Sequence, residues 1–99
     1  MQESKVENRL KKEIELIGGK APKFVSPGMS GVPDRIVLLP GGRIVFVELK
    51  APGKKPRPMQ EYRIKELRTL GFEVKVIDSV EEVIKFVEGI KEWVKEKKK

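Results

Sequence analysis

The stretch that decides the fold is GVPDRIVLLPGGRIVFVELK, Gly31 to Lys50. Two apolar runs, residues 34–39 and 43–50, flank Pro40-Gly41-Gly42. Runs of strand length on either side of a Pro/Gly turn predict a β-hairpin. In the second run Val45, Val47 and Leu49 fall on one face, and Ile44, Phe46, Glu48 and Lys50 on the other, because side chains alternate along a strand. If Leu39 pairs with Arg43 around a three-residue turn, Asp34 lies directly opposite Glu48. A two-residue turn at Gly41-Gly42 shifts the pairing by one. In either register the two carboxylates are close cross-strand neighbours, about 5 Å apart at Cβ when directly opposed. Direct opposition also gives them one face, whereas a shift of one needs a bulge to restore it.

Like charges opposed in a sheet are destabilising, and the strands around this pair are apolar (Ile36, Val37, Leu38, Phe46, Val47). A divalent cation held between the acids removes the objection, and hard oxygen donors at this spacing suit Mg²⁺ or Mn²⁺. Lys50 shares the face of Glu48. A metal with an ammonium beside it can stabilise an oxyanion at phosphorus and orient a metal-bound water. The other reading is a pair of solvated charges at strand ends. E-x-K alone carries no weight, since it recurs at Glu3–Lys5, Glu73–Lys75 and Glu96–Lys98; Glu48–Lys50 differs by ending an apolar strand whose partner begins at Asp34, one of two aspartates in the chain.

Outward from the hairpin, Val6, Leu10, Ile14 and Ile17 predict a helix over 6–17, opened by a Ser4/Glu7 capping box and stopped at Gly18-Gly19. A Pro-, Gly- and Ser-rich loop over 20–33 could hold a short strand at 23–25. Beyond the hairpin come a proline-broken basic loop (51–58), a helix over 59–70 closed by Gly71, and a strand over 72–77. A second capping box, Ser79/Glu82, then launches a long helix whose stripe is Val80, Val83, Ile84, Val87, Ile90 and Val94. The order αβββαβα, with an early antiparallel hairpin and a later parallel crossover, predicts an α/β fold: a small mixed sheet flanked by helices. The whole chain, 1–99, reads as one domain, with 95–99 as a flexible basic tail. The apolar stripe of the last helix offers a possible interface.

Composition narrows the chemistry. With 38% hydrophobic and 37% charged residues the chain is highly charged yet patterned, as a globular domain is. A run of about 18 apolar residues, the length that spans a bilayer, is absent, so no membrane is expected. The charged amino terminus is no secretory signal, and the lack of cysteine fits an intracellular, cytoplasmic protein. Without cysteine or histidine, catalysis must use carboxylates, lysine, hydroxyls or an oxygen-bound metal. The net charge of +7 resides in residues 50–57, with four positive charges and no negative one, and in 91–99, with a balance of +3. A basic loop and tail suit a polyphosphate partner; a solubilising tail is the plainer alternative.

Gly31-Val32-Pro33-Asp34, Glu48-Leu49-Lys50, the basic loop and Gln60 opening a helix together resemble the PD-(D/E)xK nucleases, and more narrowly a stand-alone virus-type replication–repair nuclease (VRR-NUC) domain. The resemblance covers nearly the whole chain and implies a restriction-endonuclease-like core. It implies Asp34 and Glu48 as metal ligands together with the Leu49 backbone carbonyl, Lys50 as the catalytic lysine, and Gln60 as a supporting residue. It further implies Glu7 as an acidic helper at the metal, although its capping role accounts for it equally well. Gln60 likewise has a plain reading as a first-turn helix residue. Lys54, Lys55 and Arg57 are candidate phosphate contacts. Tyr62 and Trp93 are expected to pack in the core or at its rim. The function implied is a Mg²⁺- or Mn²⁺-dependent DNA endonuclease preferring branched DNA, such as Holliday junctions or flaps, and a homodimer would suit such a substrate. The alternative is a non-catalytic nucleic-acid-binding module or nuclease-fold adaptor.

Overall fold

In the computed structural model, which describes residues 3–97, the hairpin forms the first two strands of a three-stranded sheet. β1 (Arg35–Leu38) pairs antiparallel with β2 (Ile44–Leu49), and β2 pairs parallel with β3 (Glu73–Ile77), giving the order β1-β2-β3. The helices are α1 (Glu3–Leu16), α2 (Pro58–Thr69), which makes the parallel crossover, and α3 (Val80–Lys97). This is the mixed α/β sheet flanked by helices that the sequence predicts.

The hairpin register is the three-residue one. The Leu39 N–H donates to the Arg43 carbonyl at 2.9 Å, and Arg35, Ile36, Val37 and Leu38 face Val47, Phe46, Val45 and Ile44. Gly41 and Gly42 both have positive φ, 87° and 85°, which their lack of a Cβ permits without strain. Val37, Leu39, Val45, Val47, Leu49 and Ile77 point to one side and are buried against Val6, Leu10 and Ile14 of α1 and Val83, Val87 and Ile90 of α3. Each such side chain contributes roughly 1.5–3 kcal/mol. The apolar stripe of α3 is therefore spent in the core and is not a free interface; of its members Ile84 is exposed. The second side of the sheet carries Phe46 and Glu48 and is covered by α2 over β3.

Both interior helix ends close as glycine stops. Gly18 N–H donates to Glu15 and Gly19 N–H to Ile14; Gly71 N–H donates to Arg68 and Phe72 N–H to Leu67. With Gly18 and Gly71 at positive φ, these are Schellman closures.

Several boundaries differ from expectation. α1 starts at Glu3, so Ser4 lies inside the helix and does not cap it. The short strand at 23–25 is reduced to bridges, Lys20 to Leu38 and Lys23 to Arg35, because Pro22 has no N–H and can only accept, here from Ile36 at 3.0 Å. The expected flexible tail is helical through Lys97: the periodicity of α3 carries past Val94, and residues 98 and 99 lie outside the described residues. The Ser79 cap forms, its hydroxyl accepting from the Glu82 N–H at 3.1 Å, but the Glu82 carboxylate accepts from Asp78 N–H, one residue before the expected partner.

Candidate active site

Of the predicted acid pair and lysine, Glu48 lies near the end of β2, Lys50 directly follows the strand, and Asp34 precedes β1. Glu48 is the fifth residue of an otherwise apolar central strand, on the α2 side, paired in register with Val76 of β3. It is 1% exposed. A carboxylate that deep is costly unless compensated, and the Lys50 Nζ lies 3.0 Å from its Oε2. Lys50 is placed for this by strand alternation, and its backbone N–H donates to the Ile77 carbonyl at 2.9 Å.

Asp34 stands one residue before β1, where the register continues to a position opposite Glu48. The residue before it, Pro33, lacks an N–H and is buried. The ladder does not continue there in backbone form. Instead the Leu49 N–H donates to Asp34 Oδ2 at 2.8 Å. One carboxylate oxygen of Asp34 is thus tied to the residue between Glu48 and Lys50, and the aspartate closes the open end of the hairpin. The Asp34 carbonyl accepts from Phe24 N–H at 2.9 Å, which anchors the same residue from the other side.

The loop that delivers Asp34 is docked on the start of α2. Gly31 (φ 77°) leaves no room for a side chain: a Cβ there would lie 2.7 Å from the Met59 backbone oxygen. The Arg63 Nε donates to the Ser30 carbonyl at 2.8 Å. Gln60 sits in this same first turn of α2, and its Oε1 accepts from the Arg57 N–H at 2.8 Å. Its side chain is engaged in closing the helix start. Lys54, Lys55 and Arg57 are exposed on the loop between β2 and α2. That loop is fastened by Gly53 N–H donating to Asp78 Oδ2 at 3.3 Å. A hydrogen bond with Glu82, and then the Gly53 N–H, hold the Asp78 carboxyl below its ordinary range; the same shared bond pushes Glu82 up.

Glu7 lies on α1 and does not cap it. Its Oε2 accepts from Arg35 Nε at 3.1 Å and Nη2 at 2.9 Å. Among the described residues no three acidic side chains converge as a ready-made cation cage. Tyr62 is an exposed rim residue lying beside the Arg63 guanidinium, and Trp93 stacks under Arg43, 5.1 Å from its ring centroid.

Sequence reasoning missed Arg35, which is 8% exposed and bonded to Glu7 and to the Ala21 carbonyl. The signal was present: Arg35 alternates with Val37 and Leu39, so the hairpin pattern turns a guanidinium toward the core, where it requires partners.

A mixed α/β sheet with two facing acids and a lysine at the end of its central hairpin defines the class: a PD-(D/E)xK nuclease core. Residues 3–81 match the VRR-NUC domain, and the chain belongs to the VRR-NUC domain family. It is 53% identical over 79 residues to "Putative nuclease p44" of Acyrthosiphon pisum secondary endosymbiont phage 1, covering 80% of this chain and 85% of that one. A solved structure described as a VRR_NUC domain superposes with a TM-score of 0.82 at 38% identity, over 87% of this chain and 94% of the other.

Proposed function

We propose that the protein is a metal-dependent endonuclease that hydrolyses phosphodiester bonds in DNA, with a preference for branched forms such as Holliday junctions or flaps. The observation that carries this reading is Glu48: a fully buried carboxylate beside the Lys50 ammonium, with Asp34 fixed across the strand by the Leu49 N–H. The donor set fits Mg²⁺ or Mn²⁺. Asp34 would supply its oxygen not taken by Leu49, Glu48 would supply a carboxylate oxygen, and the Leu49 carbonyl would complete the protein's share with a hard oxygen. When bound, such an ion lowers the pKa of a coordinated water and draws charge from the phosphoryl oxygens.

The chain's own residues do the rest. Asp34 and Glu48 hold fixed oxygens, because one is locked to backbone and the other is buried. Lys50, with its side chain 13% exposed, offers an ammonium where negative charge grows on phosphorus, and preorganised charge in a partly dry site is worth more than in water. Lys54, Lys55 and Arg57 are free to meet backbone phosphates, which gives sequence-independent, salt-sensitive affinity.

For a junction substrate the fitting assembly is a two-fold dimer, which presents two sites to symmetric strands. With the α3 stripe buried, the surface available for a second copy is the uncovered part of the sheet bearing Leu38, Ile44 and Phe72, each at least 40% exposed. Sedimentation as a monomer at micromolar concentration would remove the dimer.

The test incubates a synthetic four-way junction and its linear duplex with wild-type, Asp34→Asn and Glu48→Gln proteins in Mg²⁺, Mn²⁺ or EDTA. Cutting by the wild type only with metal, and loss of roughly 10²–10³-fold or more in each variant with the gel shift retained, is the expected result. A salt-sensitive shift without cutting under any condition overturns the enzyme in favour of a binding module.

A further inference from the structure

Arg35 follows Asp34 directly, but its side chain points to the opposite side of the sheet, in register with buried Val47. There the guanidinium is bound at three nitrogens. Nε and Nη2 donate to Glu7 Oε2 on α1, at 3.1 and 2.9 Å, and Nη1 donates to the Ala21 carbonyl at 2.7 Å. Arg35 thus joins α1, the segment after it and the first residue of β1. The flanking backbone is fastened to the same segment, with Phe24 N–H on the Asp34 carbonyl and Ile36 N–H on the Pro22 carbonyl.

We propose that Glu7 and Arg35 are positioning residues for Asp34, with Glu7 acting through Arg35 and not on the metal. Asp34 sits beyond the last ladder pair, after a proline, where the sheet no longer fixes its backbone. Its side chain is fastened to Leu49 and its carbonyl to the Phe24 N–H. The Glu7–Arg35–Ala21 clamp fixes the next residue from behind, which leaves the Asp34 carboxylate one orientation across from Glu48. Arg is suited to this post because its planar fork reaches two elements at once, while a lysine could satisfy one. A charged pair taken out of water, with the guanidinium largely buried and Glu7 partly so, is a costly way to stabilise a fold. Holding a catalytic group to within a fraction of an ångström is a use that justifies it.

The inference rests on Asp34 being a metal ligand, and the experiment separates the two. Mn²⁺ binding by titration calorimetry, well below each melting temperature, and single-turnover nicking are measured for Glu7→Gln, Arg35→Met, the double variant and Asp34→Asn. Asp34→Asn that binds and cuts as wild type overturns the metal reading itself. With Asp34→Asn inactive, the clamp predicts that Glu7→Gln and Arg35→Met each weaken Mn²⁺ binding and slow nicking roughly 10–100-fold. It also predicts that the double variant is no worse than the poorer single. Losses that multiply assign Glu7 an independent role at the metal and overturn the clamp, as does a Glu7→Gln protein with unchanged binding. Should Arg35→Met fail to fold, Arg35→Lys takes its place; it keeps the charge and loses the fork, and the same non-additivity with Glu7→Gln is required of it.

Discussion

The chain spells Glu-x-Lys along two neighbouring parallel strands, as Glu48–Lys50 at the end of β2 and as Glu73–Lys75 within β3, and the sheet gives the two copies opposite surroundings. Glu48 is 1% exposed on the α2 side at the open end of the hairpin, bridged to its own Lys50 at 3.0 Å. Glu73 stands in register with Val45 at the turn end, on the α3 side, with a side chain 45% exposed. It takes a fork from Arg43, whose Nε and Nη2 lie 2.8 Å from its two oxygens, while Lys75 adds only a weaker charge attraction. Arg43 in turn stacks on Trp93. One acid is therefore buried beside a lysine and opposite a second acid; the other is a surface fastening between the hairpin turn, β3 and α3. The difference is position. A central strand covered on both sides turns an acid into a dry, fixed group, while an edge strand leaves it solvated and screened.

The sharpest way to break this comparison is to delete the two lysines in turn. Lys50→Met removes the ammonium from a buried carboxylate, and such a loss costs about 3–5 kcal/mol, a large share of a small domain's total stability. The urea midpoint in EDTA should fall steeply and nicking should be lost. Lys75→Met, on an exposed side chain, should shift the midpoint by less than about 0.5 kcal/mol and leave nicking unchanged. Equal effects of the two substitutions would show that burial does not separate the pairs.

The second difference is what lies across the strand. Glu48 faces Asp34, whereas Glu73 faces Val45, and Asp34 arrives through a loop that only a glycine at position 31 allows. In Gly31→Ala the new Cβ meets the Met59 backbone at 2.7 Å and the residue must hold φ near 77°, so either the loop or α2 must shift. A strain of about 1–3 kcal/mol follows. Displacing Asp34 by as little as about 1 Å should reduce nicking on the order of 100-fold. The Glu73–Arg43 fork, far from this loop, should be untouched, so the variant separates the two ends of the hairpin. Gly31→Ala with full activity would mean that Asp34 is not placed by this contact.

How much of this was legible in the sequence follows the same division. The hairpin, its facing acids and Lys50 could be read from residues 31–50 because alternation and a Pro-Gly-Gly turn are local rules. The register itself waited on the turn, since Gly41 and Gly42 both tolerate the backbone of either option. What sequence could not supply was long-range pairing. Glu7 looked like half of a capping box because Ser4 stands three residues before it, yet α1 begins earlier and the carboxylate is drawn to Arg35, 28 residues away. Gln60 kept a local role, closing α2, which its place in the first turn already suggested. The stripe of α3 pointed to apolar burial without saying against what, and α1 with the sheet consumed it. Arg43 and Trp93 found each other through the tertiary fold alone.

The smallest effect belongs to the surface pair and tests whether it is only a fastening. The forked hydrogen bond from Arg43 holds the Glu73 carboxyl below its ordinary 4.5, against the opposing effect of partial burial, with the Arg43 charge adding to it. A carboxyl whose folded value is depressed contributes stability that is present above the unfolded value and lost as pH falls through the folded one. Exposure and screening limit the contribution to about 0.5 kcal/mol, roughly 2–4 °C in Tm for a domain of this size. Wild type should therefore melt above Glu73→Gln at about pH 6, and the gap should close as the pH is lowered toward about 3. Nicking at neutral pH should be the same in both. A gap that persists at low pH would assign the stabilisation to the neutral hydrogen bonds of the side chain and not to the charge on Glu73. A fall in nicking would deny that the second Glu-x-Lys pair is independent of the first.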